Sequence, residues 1–270
     1  MHRFVFFVDG SNLLGSLRGI GIQVDDYEAF YRYIFEQAVA QWRDTFEAVT
    51  PAGAQLFRIY WYALGEIDRW DLANPKAQIH LKERFEADRD LKRTYMALAG
   101  QEMGGSGASQ DEVFKEAWAM CFKEFKDWYE SRVDSVDGMK RFYHAVRSST
   151  DYIDIIECGH WKVDFLKHSL SEKGLDTTLA VDMVDKLDEY DVAIVVSGDA
   201  DSIPSISIAK SRGKHVAAVE FIPGFPPAER GRGFSSSLKV ASDFVVRIYE
   251  MDLIQKELAK KREYDDSSGT

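Results

Sequence analysis

Two unbroken apolar runs, each ending abruptly in acid, constrain this chain more than any other feature. Phe4–Val8 (FVFFV) runs into Asp9-Gly10-Ser11-Asn12, and Val192–Val196 (VAIVV) into Ser197-Gly198-Asp199-Ala200-Asp201. A strand apolar on both faces needs cover on both sides, so each run is predicted as an inner strand of a parallel sheet. Further strands are predicted at Leu56–Leu64, Tyr152–Glu157, His215–Ile222 and Val245–Tyr249. Helical spacing lies between them. Phe30, Ile34, Ala38 and Trp42 fall four apart within Asp26–Phe46, and Ala180, Met183, Val184 and Leu187 share a face of Asp176–Leu187. Another helix should follow Asp201, with Pro204 tolerated in its first turn and Gly213 ending it. Strands alternating with helices predict an α/β fold: a doubly wound, mainly parallel sheet with helices on both faces.

The stretch 66–147 breaks this alternation. It is charged, aromatic and helical in pattern, with a glycine-rich break at Gly100–Gly107. Trp118, Phe122, Phe125, Trp128 and Tyr129 share one helical stripe, the mark of a packing seam. The expected organisation is a single domain over 1–250, interrupted by this helical insertion, with a charged tail at 251–270 that frays in part. Pro223–Ser237 reads as a loop.

Composition narrows the function. The chain has 270 residues, enough to bury a sizeable core. Its net charge of −11 argues against a general nucleic-acid coat, so any such contact must come from a local basic patch. No run approaches the roughly 20 apolar residues needed to span a membrane, and the N-terminal apolar run stops at Asp9, too soon for a signal peptide. Cys121 and Cys158 form neither a zinc pattern nor a disulfide framework, which fits a reducing, cytoplasmic setting.

The chemistry rests on carboxylates. Asp9, Asp199 and Asp201 follow apolar strands, at the strand ends where open α/β sheets collect their ligands, and Asp182 lies on a helix. If the two strands are neighbours, four carboxylates converge and repel one another. Divalent cations relieve that repulsion, and an oxygen-only ligand set favours Mg2+ or Mn2+. Such ions acidify a bound water and stabilise in-line displacement at phosphorus. Gly10 and Gly198 let the backbone turn beside the acids, and Asn12 and Ser197 can orient a carboxylate, a water or a phosphate. Each acid also has an ordinary explanation: Asp9 and Asp201 as helix caps, Asp182 as a solvated helix residue. The two motifs together are more specific than any member.

In FVDGSNL (7–13), KGLDTTLAVDM (173–183), VVSGDADSIPSISIAKSRGKHV (195–216) and FSSSLKVASDFV (234–245), the chain resembles the NYN family, the LabA-like branch of the PIN-fold nucleases. The resemblance implies a PIN-like sheet and a metal-dependent ribonuclease. Asp9, Asp182, Asp199 and Asp201 would be its acidic quartet, holding Mg2+ or Mn2+, with Asn12 and Ser197 in support and Lys173 facing phosphate. Asp176 also matches the pattern, though a helix cap explains it equally well. The chain departs from the pattern at Ser202, where the family often has an aromatic, and in the length of the insertion. Arg230 and Arg232, in a loop with Phe225 and Phe234, are further candidates for RNA contact. His160, Lys162, Lys167 and His168 read as a solvated charged face, and metal-activated water requires neither histidine. The expected function is a metal-dependent endoribonuclease that hydrolyses RNA phosphodiester bonds. The alternative is a non-catalytic RNA- or protein-binding regulator that keeps the nuclease fold. A phosphatase would want an acid two residues after Asp9, where Ser11 stands. DNA stays an alternative substrate because no reader of the 2′-hydroxyl is identifiable. The insertion is expected to gate the site, bind a protein partner or hold a homodimer.

Overall fold

The apolar runs do form the innermost strands. The structure is a computed structural model that describes residues 1–46, 53–104, 107–227 and 234–262. In chain order the elements are β1 (His2–Asp9), α1 (Gly10–Gly19), β2 (Ile22–Gln23), α2 (Tyr27–Phe46), β3 (Ala54–Ala63), β4 (Glu66–Ile67), α3 (Pro75–Ala87), α4 (Arg89–Glu102), α5 (Gln110–Ser149), β5 (Ile153–Glu157), β6 (His160–Asp164) and β7 (Ser169–Lys173). They continue with α6 (Leu175–Asp185), β8 (Val192–Val196), α7 (Ile203–Ser211), β9 (His215–Ile222), α8 (Ser236–Ala241), β10 (Phe244–Tyr249), α9 (Glu250–Gln255) and β11 (Lys260–Lys261). The chain divides into two units: Met1–Leu64 with Phe142–Gly159 and Gly174–Thr270, and Gly65–Arg141 with His160–Lys173.

The first unit is built on a six-stranded sheet of order β10-β9-β8-β1-β3-β5. Every neighbouring pair in it is parallel. From β1 the chain winds outward through β3 to β5, then crosses back to β8 and winds the other way through β9 to β10. The switch in winding therefore falls between β1 and β8. Val8 stands opposite Val196, so these two strands end at the same level. Alternate side chains of β1 serve opposite faces. Phe4 and Phe6 meet Phe35, Trp42 and Tyr31 of α2. Phe7 meets Tyr60 and Tyr190 on the other face. There the Tyr190 hydroxyl donates to the Met183 carbonyl of α6 at 2.8 Å. Helices thus cover both faces, as the unbroken apolar runs require. Each fully buried Phe contributes about 1.5–3 kcal/mol.

The second unit has a core of its own. Ala117, Cys121, Phe125 and Tyr129, four apart on α5, are buried with Leu81 and Phe85 of α3, Tyr95 and Ala99 of α4, and Phe165. Of the aromatic stripe read from the sequence, Phe125 and Tyr129 lie in this core, while Trp118, Phe122 and Trp128 are partly buried and packed against it. The small residues Ala117 and Cys121 take the innermost places. A three-stranded sheet of order β4-β6-β7 completes the unit. The unit takes in the hairpin His160–Lys173 and ends on α5 at Arg141.

Past residue 250 the chain still packs. Leu253 and Ala259 are buried, and β11 pairs antiparallel with β2. Among the described residues, no helix is long and apolar enough to cross a membrane.

Candidate functional site

Asp9 is the last residue of β1 and the N-cap of α1, where its Oδ1 accepts from the Asn12 backbone N–H at 2.9 Å. It is 4% exposed. Both the ordinary cap role and a place at the carboxyl end of the sheet are therefore realised by one residue. Asn12 then reaches across the switch point: its Oδ1 accepts from the Gly198 N–H at 3.0 Å. This bond ties the loop after β1 to the loop after β8. On the second loop, Ser197 Oγ accepts from the Asp199 N–H at 3.1 Å, and Asp199 caps the turn Ala200–Ser202 by accepting from the Asp201 N–H at 3.3 Å. Ser202 is buried and its hydroxyl donates to the Asp199 carbonyl at 3.3 Å, so the departure from the family pattern braces the same turn. The Ser235 N–H donates to the Gly198 carbonyl at 3.2 Å, fixing the loop from its other side. Asp199 and Asp201 themselves are exposed.

Asp182, half-buried on α6, faces β3. The Tyr62 hydroxyl donates to its Oδ2 at 2.9 Å, and Lys186 Nζ lies 4.0 Å from the same oxygen. Tyr62 is the register partner of Asp9. Burial, then the Asp182 charge and hydrogen bond, push the Tyr62 phenol far above its ordinary range, so it stays a donor. Cys158 shares this neighbourhood. Burial chiefly raises its thiol, hydrogen bonds from Thr178 and Ala63 oppose the rise, and the charges of Asp182 and Asp9 add to it. Asp176 lies in the first turn of α6. Burial, then the charges of Asp199 and Asp201, raise its carboxyl above the usual value. Asp176 and Asp201 also line one groove of about 720 Å³ between α6 and α7, floored by Ala180, Val184 and Pro204.

The charges of Asp199 and Asp201 are thus felt at Asp176, and those of Asp182 and Asp9 at Cys158. Among the described residues, no three His, Cys, Asp or Glu side chains stand close enough to hold one ion between them. The donors are all hard oxygens, and their mutual repulsion at Asp176 is the electrostatic condition a cation relieves. Mg2+ keeps several waters and takes one or two carboxylates together with substrate phosphates, not a closed protein cage. Single carboxylates of this kind are what such an ion takes besides water and phosphate.

Sequence reasoning missed Tyr62 and Cys158, and ranked Asp176 below the quartet. No local pattern marks Tyr62, since its role depends on a partner 120 residues away. Lys173 is exposed at the end of β7, opposite His160, in the second unit. Arg230 and Arg232 lie outside the described residues. His160 and His168 face Asp68 and Glu124, at 3.4 and 3.8 Å, within the second unit.

Tyr62→Phe isolates the phenol's contribution. It keeps the ring and removes a hydrogen-bond donor to the half-buried Asp182 carboxylate. A loss of about 1 kcal/mol is expected, read as a fall of about 2–4 °C in melting temperature. An unchanged melting temperature would reduce Tyr62 to a packing residue.

Residues 133–247 match the family model described as the NYN domain. Asp182, Asp199 and Asp201 fall inside the matched segment and Asp9 outside it. No curated protein matched the chain. A crystal structure of a protein of unknown function from Vibrio parahaemolyticus is similar over 92% of this chain and 94% of its own, at 15% identity and a TM-score of 0.44.

Proposed function

Starting from a chain that carries an NYN domain, a family of PIN-like nucleases, we propose that this protein is a metal-dependent endoribonuclease. Asp9, Asp182, Asp199 and Asp201 would hold Mg2+ or Mn2+. The observation that carries the reading is the Asn12–Gly198 bond. It joins the two acidic loops at the point where the winding of the sheet reverses, the place where open α/β sheets bind ligands. When bound, the ion supplies an acidified water and neutralises charge at the phosphate.

The chain's own residues prepare that place. Asp9 is held by its capping bond and by burial, so its carboxylate has little freedom. Tyr62 orients Asp182. Ser197 and Ser202 brace the turn that carries the exposed Asp199 and Asp201. Asp176 joins the last two as a further acid. Lys173, Arg230 and Arg232 are the proposed phosphate contacts, which position a strand without reading its sequence. A reducing, cytoplasmic setting is part of the same reading, on the cysteine usage of the sequence.

Incubation of the protein with labelled RNA and Mn2+ or Mg2+ should give internal cleavage that a chelator stops. Calorimetry gives a readout independent of turnover. Asp199→Asn removes a charged oxygen donor and should weaken Mn2+ binding by about tenfold or more. Equal Mn2+ affinity in the two proteins would sink the acidic site as a metal site. RNA bound but left intact under every metal condition would favour the regulator.

A further inference from the structure

The end of α1 remote from Asp9 holds a different kind of site. There α1, β2, the start of α2, Phe142 of α5 and the residue after β11 line an open pocket of about 270 Å³. Leu17 and Ile22 form its apolar wall, Tyr27 and Phe142 its aromatic wall, and Arg18 and Arg262 its cationic rim. The wall is braced: β11 pairs with β2, and the Arg262 N–H donates to the Gly21 carbonyl at 2.8 Å. Among the described residues, neither Arg18 nor Arg262 makes an ion pair. The acid next to the pocket, Asp25, is engaged by Lys260 instead. A cation in the last turn of α1 favours the helix dipole, which accounts for Arg18 alone. It does not account for a second guanidinium in the same pocket, on a chain of net charge −11.

We propose that this pocket binds a nucleoside monophosphate through the Arg18 and Arg262 guanidinium groups and the aromatic wall of Tyr27 and Phe142. Two guanidinium groups carry more charge than one carboxylate neutralises. A phosphate monoester carries about −1.5 to −2 at neutral pH and accepts from both planar forks. The rings of Tyr27 and Phe142 meet edge to face, 5.7 Å between centroids, and present a surface for a planar base. The volume falls just below the usual small-molecule range of about 300–1,000 Å³, which limits the ligand to a single nucleotide. The nucleotide can be free or the phosphorylated end of an RNA strand, since the recognised group is the same.

Equilibrium dialysis of labelled adenosine monophosphate against the full chain, with a chelator present, tests this apart from the acidic site. One saturable site is expected. Adenosine and ribose 5-phosphate should each bind at least about tenfold more weakly, because each lacks one half of the recognised ligand. Replacing both arginines by alanine should cost at least about a hundredfold, since hydrogen bonds to charged groups are lost. Both side chains are exposed, so Mn2+ affinity should stay at the wild-type value and the melting temperature should fall by no more than about 2–4 °C, the helix-dipole contribution of Arg18. Arg18→Lys with Arg262→Lys keeps the charge and loses the forks, and should bind at least about tenfold more weakly. Displacement by a 5′-phosphorylated oligoribonucleotide assigns the strand end; displacement by free nucleotide alone assigns the mononucleotide. No saturable binding, equal affinity in all three proteins, or equal displacement by a 5′-hydroxyl oligonucleotide would overturn the proposal. None of these outcomes bears on whether the acidic loops cut RNA.

Discussion

Asp9→Asn is expected to lower RNA cleavage by at least about a hundredfold, the scale on which one preorganised electrostatic group acts, while the fold and RNA affinity stay close to wild type. The substitution separates the two roles that Asp9 combines. As a cap, Asp9 needs only an oxygen to accept the Asn12 N–H. The asparagine carbonyl supplies one, and asparagine caps about as well as aspartate. As a proposed ligand, Asp9 needs its negative charge, which asparagine lacks. RNA contacts made by basic residues elsewhere are untouched, and affinity should hold or rise as repulsion of the phosphates falls. The measurement is cleavage of labelled RNA with Mn2+, paired with filter binding under chelator. The two proteins must be purified identically so that contaminating nuclease is controlled. Cleavage by the variant at the wild-type rate would remove the catalytic reading and leave the regulator in its place.

Gly10→Ala should destabilise the protein by about 3 kcal/mol, although alanine in a helix is ordinarily favoured over glycine by about 1 kcal/mol. A Cβ at position 10 would lie 2.2 Å from Trp61 Nε1 and 2.6 Å from the Tyr62 carbonyl oxygen. Neither neighbour can yield cheaply. Trp61 is fully buried among Tyr27, Tyr31, Phe142 and Tyr143. The Tyr62 backbone is held between β1, opposite Asp9, and β5, opposite Ile156. The glycine therefore lets α1 start hard against β3, which keeps Asp9 beside Tyr62. Urea unfolding reads the effect. A loss below about 1 kcal/mol would mean that the close approach is relieved by small shifts.

Much of the architecture was legible without coordinates. The predicted strands His215–Ile222 and Val192–Val196 coincide with β9 and β8. The helix expected over Asp26–Phe46 is α2. These segments bury a face or both faces continuously, and burial leaves its period in the sequence. Where burial is partial the signal fades. α1 was not predicted, because Gly10, Gly15 and Gly19 depress helix propensity; the buried Leu13 and Leu17 hold it in place through packing. The strands β6 (HWKVD) and β7 (SLSEK) are mostly polar and exposed, so their membership of the second unit was invisible.

By itself, then, the sequence determined which segments are inner strands, that acids follow two of them, and that an NYN-type motif set is present. Only the tertiary structure decided that β1 and β8 are neighbours, that Asn12 bonds to Gly198 across 186 residues, and that Tyr62 serves Asp182. It also put Asp176 within reach of the charges of Asp199 and Asp201. The physical reason is that periodic burial is a local property written along the chain. Strand adjacency and hydrogen bonds between distant residues depend instead on which buried faces pack together, and that is fixed only when the whole sheet closes.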